Sequence, residues 1–223
     1  DKQNEKIINS SPFYTDPSKL YLEYDLGIQN ITNNITLNVH TAFCFKLRTN
    51  KDYKPSSEAF DIEAPFIFKQ IGFTYYNIYG YVFGEPNVFK SPISELDFQI
   101  LEPIEKYKYL LCMASGLEYI HNLDLCIDNI SFNNFLLDLP QSELLIFGYG
   151  MGEAKGNQSI EDDNKWFSEL VCKYFPNVSE EEKDLPKKII SGEIILVEKP
   201  SIDLQKIRNK ALEANPHINP EVP

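Results

Sequence analysis

Residues 119–138 read YIHNLDLCIDNISFNNFLLD, and this stretch decides how the chain is interpreted. It starts with the end of a helical pattern and closes on an apolar segment, Phe135 to Leu137, which predicts a short strand. Between the two, polar residues gather around Asp128, Asn129 and Asn134. A polar loop held between a helix and a strand is typical of an active site, because loops present functional groups on a rigid scaffold. The sequence must then show whether these side chains still support a reaction.

On both sides of this loop, apolar residues recur at the spacing of an α-helix. Apolar residues recur every three or four positions from Ile104 to Ile120, behind Pro103, which predicts one long amphipathic helix that starts at Pro103. The segment 161–175, EDDNKWFSELVCKYF, predicts a second buried helix. Two shorter helices are expected within 180–193 and 203–216.

The first part of the chain is predicted to be rich in strands. The segments 19–29 and 35–49 carry β-branched and aromatic residues in partial alternation, and NITNN, 30–34, is expected to be the turn between them. The segment 56–71, SSEAFDIEAPFIFKQI, is predicted to be helical, with Ser56 or Ser57 as its cap and Pro65 at its start or at a kink. Strand character returns in 73–85. Strands first and helices afterwards predict an α+β fold in two unequal lobes.

Composition sets limits on the partners of the chain. Its 223 residues, 43% of them hydrophobic, are enough for a substantial core. The formal net charge of −12 repels polyanions, so neither nucleic acid nor an anionic membrane is an expected partner. No apolar run approaches the roughly 18 residues of a membrane span. The four cysteines form no CxxC pair, so no zinc or other metal site is expected and the thiols are predicted to be unpaired.

The segment 119–138 resembles the corresponding part of a protein kinase. Kinases pass from a helix end of the form Tyr-Leu-His, through a His-Arg-Asp loop, to Asn-Ile-Leu-Leu-Asp. Without a gap, residues 119–121 match the helix end and residues 134–138 match the strand. Ile127, Asp128 and Asn129 then lie where the family has His, Arg and Asp. The resemblance implies a two-lobed kinase-like fold.

Further kinase landmarks follow in the same order. The segment FCFKL resembles the strand of the ATP-pairing lysine, which is then Lys46. Counting back from Gly80 by the interval usual in the family leads to Glu63 as the partner of Lys46. Either Asp163 or Asp162 resembles the aspartate that opens the central helix of the large lobe. Lys46 and Glu63 are interpreted either as a retained ion pair or as a solvated lysine and a separate acid at the start of a helix.

The same resemblance implies that the positions used for phosphoryl transfer are degenerate. Asn129 replaces the aspartate that orients the attacking hydroxyl, and the magnesium-binding motif has no carboxylate whether its position is Gly148 or Ile146. Asn134 alone is not expected to hold magnesium, which prefers several oxygen ligands. The turn QNITNNIT, 29–36, has no glycine to let backbone approach phosphates. Lys46, Glu63 and Asn134 are therefore vestiges of a cofactor site, and no ATP binding is expected.

The chain is accordingly predicted to be a pseudokinase with one kinase-like domain. Residues 1–90 form a β-rich small lobe with one helix, and residues 91–223 form a mainly helical large lobe. The segment between Gly150 and Asp163 is too short for the usual activation segment and has no Ala-Pro-Glu motif. The expected role is that of a scaffold or allosteric partner in signalling, which binds another protein and uses no cofactor.

Two other functions remain open from the sequence. The first is a divergent kinase-fold enzyme with weak or altered nucleotide transfer, for which Asp128 and Asp138 are the carboxylates nearest the loop. The second is a secreted interaction protein, such as an effector or adhesin, because six Asn-x-Ser/Thr sequons occur where chance supplies about two. A cytoplasmic location is slightly favoured over secretion.

Overall fold

The computed structural model describes most of the chain from residue 56 onward and several strands before it. The described ranges are 7–8, 13–14, 26–33, 39–48, 56–76, 79–84, 90–127, 130–150, 157–179, 182–198 and 201–218. Within 7–48, 71–92 and 157–159 the backbone alone is described. Strands dominate the first part and helices the second, so the predicted α+β class is confirmed.

Six antiparallel strands from the first part of the chain form one sheet in the order β1-β5-β6-β4-β3-β2. They are β1 (Ile7–Ile8), β2 (Phe13–Tyr14), β3 (Leu26–Asn33), β4 (Val39–Arg48), β5 (Gln70–Tyr76) and β6 (Tyr79–Gly84). The predicted turn at NITNN is wrong for most of its length, because β3 stays paired with β4 as far as Thr32. The β-branched Ile31 and Thr32 favour an extended backbone, and this preference outweighs the turn preference of the asparagines.

The helix predicted for 56–71 does not form. A 3-10 turn, Ser57–Ala59, is capped by Ser56, whose hydroxyl accepts from the Glu58 N–H at 3.3 Å, and the chain then runs without regular structure to β5. Ser56 is thus the predicted cap, but of a single short turn. Pro65 lacks an N–H and disfavours a helical conformation in the residue before it, so a helix cannot continue through this segment.

The residues after Pro65 pack onto the second sheet instead. The N–H of Phe68 donates to the Ile146 carbonyl at 2.9 Å, and the Ile146 N–H donates to the Phe66 carbonyl at 2.8 Å. Phe66, Ile67 and Phe68 are all buried. An extended segment buries these three apolar side chains and satisfies its backbone at the sheet edge, which an isolated short helix would not achieve.

Five helices make up the described part of the second half: α1 (Glu95–Gln99), α2 (Pro103–His121), α3 (Asn157–Tyr174), α4 (Leu185–Ser191) and α5 (Ile202–Ala214). The long helix from Pro103 is confirmed, and α2 is buried on most sides because α3, α4, α5 and the second sheet pack against it. The sequence pattern did not predict α1. No helix in the described ranges is long and apolar enough to cross a membrane.

The second sheet brings the ends of the loop region together. It consists of β7 (Lys90–Pro92), β8 (Phe135–Asp138) and β9 (Glu143–Ile146) in the order β7-β8-β9, all antiparallel. The predicted strand at Phe135 is β8. Because Phe135 pairs with Ile146, the residue before β8 and the residue after β9 are neighbours. This register places Asn134 beside Phe147.

Candidate functional site

The central loop, residues 122–134, is anchored by a buried aspartate on α3. Oδ2 of Asp163 accepts a hydrogen bond from the Ile127 N–H at 3.0 Å and lies 3.1 Å from Nε2 of His121. Burial raises the pKa of the Asp163 carboxyl, and the hydrogen bonds from His121 and Ile127 act in the opposite direction. The kinase resemblance offered Asp163 or Asp162 as the aspartate that opens this helix, but α3 begins at Asn157 and both residues lie within it. Of the two, Asp163 is buried against the loop and Asp162 is exposed.

The two loop residues at the predicted catalytic positions, Asp128 and Asn129, lie outside the described residues. The replacement of a hydroxyl-orienting aspartate by Asn129 therefore stays a prediction from the sequence. The backbone just before them is held on two sides: the Cys126 carbonyl accepts from the Gly150 N–H at 2.7 Å, and the Ile127 N–H donates to Asp163.

Asn134 is a buried structural residue, with only 1% of its surface exposed. Its Oδ1 accepts from the Ser131 N–H at 2.9 Å, and its Nδ2 donates to the Phe147 carbonyl at 3.1 Å. Its own backbone carbonyl accepts from the Phe147 N–H at 2.7 Å. The oxygen of the carboxamide thus holds the central loop to itself, and its nitrogen fastens the loop to the residues after β9.

Those residues form the glycine turn, Phe147–Gly150, which includes the predicted degenerate position Gly148. Gly148 and Gly150 have φ of 81° and 68°, a region that residues with a Cβ rarely adopt. The backbone N–H groups of Phe147, Gly148 and Gly150 all donate inside the protein, to Asn134, Gln70 and Cys126 respectively. The turn therefore offers neither a carboxylate nor these three N–H groups to a metal or a phosphate.

Gln70, the first residue of β5, is the residue that sequence reasoning missed. Its carboxamide is fully buried. Oε1 accepts from the Gly148 N–H at 2.7 Å, while Nε2 donates to the Tyr149 carbonyl at 3.1 Å and to the Ala59 carbonyl at 2.7 Å. The available signal was a polar amide inside the largely apolar run from Phe66 to Phe73, because a buried amide requires partners.

The structure describes the two residues of the predicted ion pair, Lys46 and Glu63, to different extents. Lys46 lies in β4 opposite Tyr81, and its side chain is outside the description. Glu63 lies in the irregular segment before β5, where it is exposed and accepts from Nζ of Lys69 at 2.7 Å. This hydrogen bond, with the charge of Lys69, lowers the pKa of Glu63. The helix that was expected to carry Glu63 toward Lys46 is absent from 56–71.

A second buried carboxyl, Glu118, lies one helical turn before His121 on α2. Its Oε2 is 3.5 Å from Nε2 of His217 and 4.0 Å from Nζ of Lys187. Burial raises the pKa of Glu118, while the charges of Lys187 and His121 and the His217 contact act against that rise. This cluster ties α2 to α4 and to the turn that follows α5.

The described part of the chain contains no cluster of three or more His, Cys, Asp or Glu side chains that could hold a metal ion. Cys112 is a free thiol, and burial raises its pKa to about 12, so it is not a reactive nucleophile. The free thiol of Cys112 agrees with the prediction that the cysteines are unpaired. The side chain of Cys44 is not among those that the structure describes.

A groove of about 440 Å³ lies between α1, the central loop and α3. Trp166 lines it, stacked on Phe135 with 5.7 Å between ring centroids and meeting the Phe132 ring at a steep angle. Lys173 of α3 and Glu95 of α1, which also line the groove, form an ion pair. The groove thus combines an aromatic wall with a contact that fastens α1 to α3.

Comparisons with known proteins give only a weak likeness to solved structures. No family model matches the sequence, and no curated protein matches it. Among solved structures, the pseudokinase domain of BIR2, an immune regulator of the RLK/Pelle family, is similar over 89% of this chain and 74% of that one, at 12% identity and a TM-score of 0.47. A likeness at this level carries no argument about function, so the proposal that follows rests on the residues of this chain.

Proposed function

We propose that the chain is a catalytically inactive, two-lobed kinase-like module that acts by binding another protein. The order of elements supports this: a six-stranded sheet, the long helix α2, a polar loop, the hairpin of β8 and β9, and a helix whose buried aspartate holds the loop backbone. The match of residues 119–138 to the kinase loop supplies the alignment of positions.

The observation that carries the loss of catalysis is the glycine turn. Phosphoryl transfer needs magnesium held by carboxylate, and charge stabilisation at the phosphates. Gly148 has no side chain, and its N–H is bound to Gln70. The carboxamide of Asn134 is bound to Ser131 and Phe147. A metal or nucleotide would have to break these buried hydrogen bonds before it gained a contact with the Gly148 N–H or with the Asn134 carboxamide, so neither ligand is part of the proposed function.

The proposed module also lacks the segment on which kinases hold a peptide substrate. Helix α3 begins at Asn157, so that only residues 151–156 separate it from the glycine turn. Six residues do not form the long segment on which kinases hold a peptide. With catalysis removed, the remaining activity of such a fold is recognition of a partner, and the net charge of −12 disfavours nucleic acid in that role.

The test is a thermal-shift titration of the full chain with ATP, with and without magnesium, beside an assay for transfer of labelled phosphate. A ligand that binds the native state alone raises the melting temperature, and none is expected to do so up to about 1 mM ATP. Lys46→Ala should behave as the unchanged protein. Asn129→Asp combined with Gly148→Asp should remain inactive, because Gly148 lies at positive φ and its replacement strains the turn. Magnesium-dependent phosphate transfer by the unmodified protein would overturn the proposal.

A further inference from the structure

The glycine turn is attached to three separate parts of the chain. Phe147 is bound through both its N–H and its carbonyl to Asn134 of the central loop. Gly150 donates to Cys126, near the start of the same loop. Gly148 and Tyr149 are bound to Gln70, which comes from the six-stranded sheet. Gln70 is therefore the attachment that joins the turn to a different sheet.

The geometry around Gln70 uses the amide fully as a donor. Nε2 carries two N–H groups, which meet the carbonyls of Ala59 and Tyr149, and Oε1 meets the Gly148 N–H. The backbone carbonyl of Gln70 also accepts from the Asp61 N–H at 2.9 Å. One residue thus holds the glycine turn, the 3-10 turn at Ala59 and the irregular segment after it in a fixed relation.

Side-chain packing further restricts the conformation of the glycine turn. The Tyr149 ring is buried, and its hydroxyl donates to the Phe68 carbonyl at 3.3 Å. At Gly150 an added Cβ would lie 2.6 Å from Cβ of Ala59, so the backbone is in close contact there. A movement of the turn that keeps it buried would separate these donors and acceptors from their partners, and a buried polar group without a partner costs much more than a lost exposed hydrogen bond.

We propose that Gln70 is a lock, which fixes the glycine turn in one conformation and ties the six-stranded sheet to the helical part of the chain. This inference deepens the proposed function and rests on it: a module whose glycine turn has a single conformation presents a constant surface to its partner.

The lock is tested by amide hydrogen exchange of Gly148, followed by NMR on the full chain. In the unmodified protein this amide should exchange as slowly as amides in the middle of α2. Gln70→Met removes the acceptor of the Gly148 N–H and the donor to the Ala59 and Tyr149 carbonyls, whereas Gln70→Glu keeps the acceptor and removes only the donor. Both variants leave buried polar groups without partners, so both should accelerate the exchange of the Gly148 amide, Gln70→Met by at least about tenfold. The matched control is Gln99→Glu, which makes the same chemical change at an exposed residue and should leave Gly148 unaffected.

A pH comparison separates the amide contacts from simple packing. In the Gln70→Glu variant, the ionised carboxylate has no donor for the Ala59 and Tyr149 carbonyls, whereas the protonated acid regains one. The loss of melting temperature in Gln70→Glu should therefore be smaller at about pH 5 than at about pH 7.5, beyond any change in the unmodified protein. Gln70→Met should show no such difference.

The outcomes are distinct. Exchange of the Gly148 amide at the rate of an exposed turn in the unmodified protein would overturn the lock, and this measurement decides the matter even if the variants do not fold. Unchanged Gly148 exchange in folded Gln70 variants would overturn it as well. Nucleotide binding is a separate measurement, so a failed lock with no ATP shift leaves the proposed function in place, while a clear ATP shift with a slow Gly148 amide contradicts the proposed function alone.

Discussion

Two buried polar clusters hold the central loop, and they use different chemistry. At the glycine turn, Asn134 and Gln70 use neutral carboxamides. In each, the side-chain oxygen accepts from a backbone N–H and the side-chain nitrogen donates to a backbone carbonyl. At α3, the ionisable Asp163 uses Oδ2 twice, but its buried Oδ1 has no hydrogen-bond partner within the described part of the chain. Burial raises the pKa of this carboxyl.

The two clusters respond differently to pH. A buried amide with matched partners carries no charge, so it stabilises one conformation at every ordinary pH. A buried carboxylate loses solvation whenever it is ionised, and the stability of the protein then depends on pH. The glycine turn is thus held by the pH-independent cluster.

The largest effect is expected when the amide cluster receives a charge. Asn134→Asp keeps the shape but places a buried carboxylate against the Phe147 carbonyl, where Nδ2 now donates. Urea denaturation at about pH 7.5 should show the free energy of unfolding lowered by about 3–5 kcal/mol. Asn133→Asp, at the exposed neighbour, is the control and should change it little. Equal losses in the two variants would mean that Asn134 is not bound as described.

The reciprocal change should be far milder. Asp163→Asn retains an oxygen for the Ile127 N–H and removes the buried charge, so a loss of at most about 1 kcal/mol is expected. Asp163→Ala leaves the Ile127 N–H and His121 without their acceptor and should cost about 2–4 kcal/mol in the same denaturation experiment. If the asparagine variant were as unstable as the alanine variant, the charge of Asp163 would be essential and the contrast between the clusters would fail.

The backbone of the glycine turn can be tested by a smaller change. Gly150→Ala adds a Cβ at φ 68° and 2.6 Å from Cβ of Ala59, which should cost about 1–3 kcal/mol. Gly192→Ala is the control: it has φ 92°, but its new Cβ meets only the flexible side chain of Arg208. Ala59→Gly in the Gly150→Ala background should restore part of the melting temperature. No restoration would place the cost in backbone strain alone.

The pH dependence of Asp163 follows from the direction of its shift. The folded state holds the Asp163 proton more tightly than the unfolded state, whose pKa is near 3.8, so this group makes the free energy of unfolding fall as pH rises from about 4 through the raised pKa. Urea titrations at several pH values should show Asp163→Asn gaining on the unchanged protein as pH rises, by an amount on the order of 1 kcal/mol. A difference that is constant with pH contradicts the burial effect.

The smallest effect is expected at the surface. Glu63→Ala removes an exposed contact with Lys69, and exposed ion pairs contribute little, so the melting temperature should not change measurably. Lys165→Ala, which loses a comparable exposed contact with Glu169, is the reference. A clear loss for Glu63→Ala alone would indicate that Glu63 has a second, buried role, such as the Lys46 pair that the kinase resemblance predicts.

Local pattern was sufficient for most of the regular elements. The apolar period behind Pro103 predicted α2, and the apolar run at Phe135 predicted β8, because both signals lie within the segment itself. The segment 56–71 failed for the opposite reason. Its composition suits a helix, but Pro65 interrupts the backbone and the edge of β9 supplies partners for Phe66 and Phe68, which no local pattern records.

Residue identity alone establishes that neither position 148 nor position 134 carries a carboxylate, because the chain has Gly148 and Asn134 there. The kinase resemblance also singled out Asp163 or Asp162, as the aspartate at the start of the central helix. The choice of Asp163 required the fold, because its hydrogen bond to the Ile127 N–H spans 36 residues of the chain. The role of Gln70 also required the fold, because its hydrogen bond to the Gly148 N–H spans 78 residues. A buried polar group is defined by its partners, and partners so distant in sequence become neighbours only when the chain has folded.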